Sequence, residues 1–188
     1  MSLRAHVIRF WETTMSIYVE YDQLQGLVQS NAFSGEEIVL HPEFVFFWKP
    51  QNALGQWTDS EFQVDGILYS CAEQFMMAEK ARLFGSDLIR EKIIATQSPR
   101  EHKKLGRQVA GFDQAIWEAC REEIVFQGNM AKFQQNKELL KELLDTGDRT
   151  LVEASPFDKI WGIGLRACLL YTSPSPRDLS TSRMPSSA

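Results

Sequence analysis

The stretch "FQVDGILYSCAEQFMMAEKARLF", residues 62–84, changes its period part-way along, and that change constrains the fold more than anything else in the chain. "FQV" and "ILY" flank Asp65-Gly66, a favoured two-residue turn, and read as the strands of a hairpin. From residue 71 to 84 the apolar side chains recur at helical spacing instead. A short hairpin running straight into a helix points to strands and helices sharing one core.

The remaining segments extend this pattern. "FVFFW", from Phe44, is a short apolar strand candidate, and "RTLVEA" is another. Helices are expected at about 87–95 and from Ser98-Pro99-Arg100-Glu101, where a serine stands at the N-cap, a proline in the first turn and an acid at the third helical position. "FDQAIWEACREEIVFQGNMAKFQQN" puts Ile116, Trp117, Cys120, Ile124 and Ala131 on one broad face. "KELLKELLDTGD" pairs Leu139 and Leu140 with Leu143 and Leu144 before Gly147 ends that helix. The fold class expected is therefore α+β: a mostly α-helical single domain with a small antiparallel β-sheet. A chain of 188 residues, 44% of them hydrophobic, is long enough to bury one such core.

The domain is expected over 44–167. Residues 1–43 read as an N-terminal extension without a sustained period. Residues 168–188 read as a disordered tail, because "TSPSPRDLSTSRMPSSA" is mainly Ser, Thr and Pro and cannot repay its ordering entropy. The break after "WGIGLRA" is abrupt, as expected of a non-native tail appended by a cloning or library event in place of the natural C-terminal segment.

Charge and cysteine usage exclude several function classes. A net charge of −5 argues against a protein that coats nucleic acid, while leaving room for a local basic pocket that takes a phosphate. The three cysteines and three histidines are scattered without metal-ligand spacing, so neither a zinc site, a disulfide framework nor a cofactor is expected. No apolar run approaches the ~20 residues of a membrane span. The start has no secretory apolar region, and a cytoplasmic location is the default expectation.

Three groups of residues are able to carry chemistry. Glu73, Met77, Lys80 and Phe84 fall on one stripe of the first helix, with Glu73 and Lys80 about 10.5 Å apart along its axis. An acid and a base on an inward stripe can lean over one ligand, although capping by Glu73 and snorkelling by Lys80 explain the same pattern. The second group is "EASPFDKIWGIGL", in which Trp161 and the glycines Gly162 and Gly164 offer a stacking surface beside approachable backbone, close to Glu153, Ser155 and Asp158. A cap and a tight turn under a core tryptophan account for it equally well. The third is "KKLGRQV" with "GNMAKF": Lys104, Arg107, Asn129 and Lys132 can converge on a phosphate, with Arg107 as a bidentate partner, or form a solvated face.

Taken in order, "FFW", "F-x-V-D-G-x-x-Y-x-x-A-E-Q-F-M-M-A-x-K-A", "SPREHKKLGR", the Trp117 helix leading into "GNMAKF", and "TGDRTLVEASPFDKIWGIGL" resemble the NADAR domain, the YbiA-like family of N-glycosidases. The likeness covers about residues 44–167. It implies hydrolysis of an N-glycosidic bond between ribose and a base. The small-molecule substrate implied is a phosphoribosylamino-pyrimidine intermediate of riboflavin synthesis or ADP-ribose on guanine. By this resemblance Glu73 manages protons or stabilises an oxocarbenium-like state, and Lys80 attacks C1 of the ribose to give a Schiff base. Asp158 holds ribose hydroxyls or assists as a general acid/base, Trp117 lines the pocket and Trp161 closes it. The family's Asn-x-Leu-Gly segment after "WGIGL" is replaced here by the Ser/Pro tail. The alternative is a non-catalytic ADP-ribose or nucleotide-binding module, and a helical interaction domain is the third reading.

Overall fold

The computed structural model of the chain describes residues 38–40, 44–49, 52–155 and 161. Asp158, Gly162, the expected tail and all of the expected N-terminal extension except 38–40 lie outside the described residues. The elements in chain order are β1 (Ile38–Leu40), β2 (Phe44–Phe47), β3 (Phe62–Val64), β4 (Ile67–Tyr69), α1 (Ala72–Leu83), α2 (Asp87–Ala95), α3 (Pro99–Gly106), α4 (Gln114–Gln135), α5 (Lys137–Asp145) and β5 (Thr150–Glu153). The architecture is α+β, as the change of period indicates.

β3 and β4 form the expected antiparallel hairpin, with Phe62 opposite Tyr69 and Val64 opposite Ile67. Asp65 and Gly66 both take positive φ, 50° and 79°, as a turn of the primed type requires. The second sheet differs from the expectation in being mixed. Its order is β1-β2-β5, with β1 antiparallel to β2 and β2 parallel to β5, Phe44 facing Thr150 and Phe47 facing Glu153. The reason is connectivity: β5 returns only after five helices, and a long crossover permits parallel pairing where a tight turn does not. β1, from the segment expected to be an extension, is hydrogen-bonded into this sheet.

Helix α1 is the centre of the domain. Every residue from Ala72 to Ala78 is buried, so the helix has no solvent face over its first two turns. It packs on α2, α3 and α4. Gln74, fully buried, shows how such a helix carries polar side chains: its amide nitrogen donates to the carbonyls of Ile93, Ile94 and Thr96 at 2.9, 3.1 and 2.9 Å, covering the otherwise bare carboxyl end of α2. The Nε2 of His102 donates to the same Thr96 carbonyl at 2.8 Å, and burial holds this imidazole below its ordinary pKa.

Two glycines set the distances between helices. A Cβ at Gly106 would collide with the sulfur of Met77, and a Cβ at Gly128 would stand 2.6 Å from Cδ1 of Phe75. Phe75 has no room to move, since its ring meets Tyr69 edge-on at 5.1 Å and is itself buried. Gly128→Ala is therefore expected to destabilise the fold by about 1–3 kcal/mol through overpacking, read as a lower urea midpoint at unchanged slope.

The helical expectations differ in detail at three places. The Ser98 side chain stands at the N-cap of α3 but makes no capping hydrogen bond. Ile116 is 49% exposed. The buried side of α4 runs instead through Trp117, Ile124, Val125, Gly128, Asn129, Lys132 and Phe133. That face admits two polar side chains because the turn at 52–58 offers them partners.

Candidate active site

The turn between β2 and β3 is built by its own polar groups. The Asn52 side-chain oxygen accepts from the Leu54 amide at 2.9 Å, the Gly55 amide donates to the Asn52 carbonyl at 2.9 Å, and the Thr58 hydroxyl donates to that same carbonyl. Helix α4 then fastens it from behind. Lys132, fully buried, donates from Nζ to the Gly55 carbonyl at 2.8 Å, and Asn129 accepts from the Gln56 side-chain amide at 3.2 Å.

This turn meets the start of α1 at Glu73. The Glu73 amide donates to the Gln56 carbonyl at 3.0 Å, and the Trp57 indole Nε1 donates to Glu73 Oε2 at 3.2 Å. Although Glu73 is only 3% exposed, it lines a cavity of about 410 Å³, a size suited to a small ligand. The cavity opens beyond the carboxyl ends of the parallel pair β2 and β5, which supply Phe47, Trp48 and Lys49 on one side and Glu153 and Ser155 on the other. Trp57 and Trp161 add aromatic wall. Arg100 and Lys103, from the first turns of α3, add positive charge.

α3 carries a basic stripe alongside the α1 stripe. Arg100, Lys103 and Arg107 share one helical face, and Lys104, on the border of that face, is exposed and pairs with Glu101 at 3.1 Å. Arg100 and Lys103 stand at the Glu73 end, Met77 packs against Gly106 in the middle, and the charge of Arg107 acts on Lys80 at the other end. Arg107 itself is exposed and outside the cavity lining.

Lys80 lies two turns along from Glu73, half-buried and also outside that lining. Its Nζ sits over the Phe112 ring at 4.2 Å and the Trp117 ring at 5.5 Å. Burial, and then the Arg107 charge, hold the amine below the ordinary lysine pKa. Trp117 is buried in the core, and Arg121, one turn further along α4, lies 5.4 Å from the Trp161 ring centre. Trp117 and Arg121, one turn apart on α4, thus touch the Lys80 amine and the Trp161 ring of the cavity wall respectively.

Of the residues singled out from sequence, Glu73, Glu153, Ser155 and Trp161 line the cavity, Asn129 supports its turn, and Trp117 contacts Lys80. Asp158 and Gly162 lie outside the described residues. Trp57, Gln56, Trp48, Lys49, Arg100 and Lys103 are lining residues that sequence reasoning did not name as ligand contacts. Among the described residues no group of three His, Cys, Asp or Glu side chains converges as a metal site, and no helix is long and apolar enough to cross a membrane.

Comparison with known proteins decides the family. Residues 46–176 match the NADAR domain. The chain belongs to the NADAR family. It is 47% identical to an N-glycosidase of Acanthamoeba polyphaga mimivirus over 120 residues, 64% of this chain and 68% of that one. It is 28% identical to the N-glycosidase YbiA of Escherichia coli over 129 residues, 67% of this chain and 79% of that one. The NMR structure of Escherichia coli YbiA aligns with a TM-score of 0.56 at 27% identity, covering 68% of this chain and 76% of that one. Those relatives are named as N-glycosidases, and this NADAR chain belongs with them to the enzymes that hydrolyse N-glycosidic bonds.

The buried lysine of the NADAR site has a consequence for stability. Burial pushes the Lys132 pKa down to about 7, against smaller upward effects of Cys71 and Glu142. Below pH 7 the folded state carries the buried ammonium. Between about 7 and the unfolded value near 10.4 the unfolded chain binds the extra proton, so this group makes stability rise with pH across that window. Urea unfolding at pH 7, 8 and 9 is expected to show that rise, and Lys132→Met is expected to flatten it.

Proposed function

We propose that the substrate is a ribosylated base carrying phosphate, either a phosphoribosylamino-pyrimidine or ADP-ribose on guanine, and that Glu73 and Lys80 perform the cleavage. The observation that carries this reading is the Glu73 carboxylate, buried yet facing a cavity walled by Trp57 and Trp161. Carboxylates are seldom buried without a task, and one held by an indole N–H beside a ligand-sized space is placed to act on developing positive charge.

The chemistry runs as follows. The free amine of Lys80 attacks C1 of the ribose as the bond from C1 to the base nitrogen breaks, and the leaving nitrogen takes a proton from Asp158 acting as general acid, or from water. Glu73 takes the proton lost by the attacking nitrogen. Opening of the sugar ring turns the ring oxygen into a hydroxyl with the proton Glu73 returns, and leaves a Schiff base on Lys80, which water hydrolyses to the free amine and the released ribose phosphate or ADP-ribose. Asp158 is assigned to the ribose hydroxyls or to general acid/base work, Trp117 to supporting the Lys80 amine, and Gly162 and Trp161 to closing the cavity. Arg107 is assigned to lowering the proton affinity of Lys80.

Arg100, Lys103 and Lys49 at the cavity suit the phosphate of such a substrate. Arg100→Ala with Lys103→Ala is expected to raise KM about tenfold or more with a smaller change in kcat, and to weaken the dependence of KM on salt. The reading is tested by incubating the full chain with each substrate and measuring released base by mass spectrometry. Release from one of them supports it and names the branch. A folded chain that releases neither base overturns it for these substrates.

A further inference from the structure

The mechanism leaves Lys132 unused, although it is the most deeply buried cation among the described residues and sits in the core face of α4. A lysine there is expensive unless its nitrogen has a fixed partner. That partner is the Gly55 carbonyl at 2.8 Å, and the ring of Phe133 lies 5.0 Å below the ammonium.

The next two residues of the turn both hold Glu73. Gln56 accepts from the Glu73 amide at 3.0 Å, and Trp57 donates to the Glu73 carboxylate at 3.2 Å. One turn earlier on α4, Asn129 holds the Gln56 side chain at 3.2 Å, and its own amide nitrogen donates back to the Val125 carbonyl at 3.0 Å. Helix α4 therefore grips residues 55 and 56 at two adjacent points, and the grip passes to the acid through residues 56 and 57.

We infer that Lys132 is a positioning residue: through the Gly55 carbonyl it fixes the 52–58 turn, and the turn in turn fixes the direction of the Glu73 carboxylate in the cavity. A methionine at position 132 would fill the space and leave the core apolar, yet would release the turn. Displacement of a catalytic group by about 1 Å is enough to cost on the order of 100-fold in rate. The contact is a directional hydrogen bond, so stability and positioning are separable: removal of a buried charge relieves desolvation while the turn loses its anchor.

The test uses the full chain labelled with nitrogen-15, with the Trp57 indole N–H signal assigned by its loss in Trp57→Phe. In folded Lys132→Met that signal is expected to shift and its exchange with solvent to speed up at least about tenfold, while the surface variant Lys141→Met leaves it unchanged. Where Lys132→Met does not fold, Lys132→Gln, which keeps a donor on a shorter arm, is expected to show a smaller change in the same direction. An unchanged Trp57 signal in a folded variant overturns the inference, whatever the activity. The kinetic arm rests on the glycosidase reading: Lys132→Met is expected to lower kcat about 10- to 100-fold with KM within about threefold. Loss of rate confined to KM also overturns it. If the wild-type chain turns over neither substrate, the functional reading fails and the indole signal alone decides the role of Lys132.

Discussion

Glu73→Gln is expected to lower kcat about 100- to 10,000-fold while leaving the fold and KM nearly unchanged. Glutamine has the same shape and can still accept from the Trp57 indole, whose distance to the carboxylate is 3.2 Å. What it loses is the negative charge and the proton affinity, the two properties that an oxocarbenium-like transition state draws upon. The ground-state substrate makes little demand on either, so binding should persist. Burial sharpens the effect, because at 3% exposure water cannot take over the role of the missing charge. Steady-state kinetics with thermal melting of both proteins measures it. A variant that keeps wild-type kcat would remove Glu73 from the chemistry.

Lys80→Met is expected to be at least as damaging, with kcat reduced about 1,000-fold or more, because the substitution removes the nucleophile itself. The wild-type pH profile carries the second part of this prediction. Only the neutral amine attacks, so kcat/KM should rise with pH as Lys80 loses its proton. Burial and the Arg107 charge lower that pKa, so the rising limb should lie below the ordinary lysine range near 10.4. Arg107→Ala should move the limb upward. Arg107 is exposed, so its field is screened, and the movement should shrink as salt is added.

The fold was more legible than the site, for physical reasons. A period of two around Asp65-Gly66 and a period of 3.6 after residue 71 are written into local chemistry, and the hairpin and α1 follow them. The parallel pairing of β5 with β2 is a contact across a hundred residues of chain, and no local pattern encodes it. The same contrast holds in the site. That Glu73, Met77 and Lys80 share one stripe is readable from spacing, whereas the burial of Glu73 and Met77 is seen only in the fold. Trp57 stands in an aperiodic turn, and only its hydrogen bond reveals what it faces. For α3, eight residues with just His102 and Gly106 buried give too little phase to tell which basic residues turn inward. From sequence, Lys104 and Arg107 were read as either a phosphate pair or a solvated face, whereas Arg100 and Lys103 line the described cavity. Asn129 and Lys132 left a legible mark, two polar residues at core spacing on α4, but their partners in the 52–58 turn were not readable from that mark.

The proposed cleavage turns most directly on whether Lys80 bonds to the sugar. The decisive measurement is borohydride trapping: the chain is mixed with each ribosylated substrate, reduced, digested and mapped by mass spectrometry. The expected result is a reduced sugar adduct on Lys80, absent in Lys80→Met and strongly diminished in Glu73→Gln. Base release without any adduct on Lys80, or an adduct on another residue that survives in Lys80→Met, would contradict it.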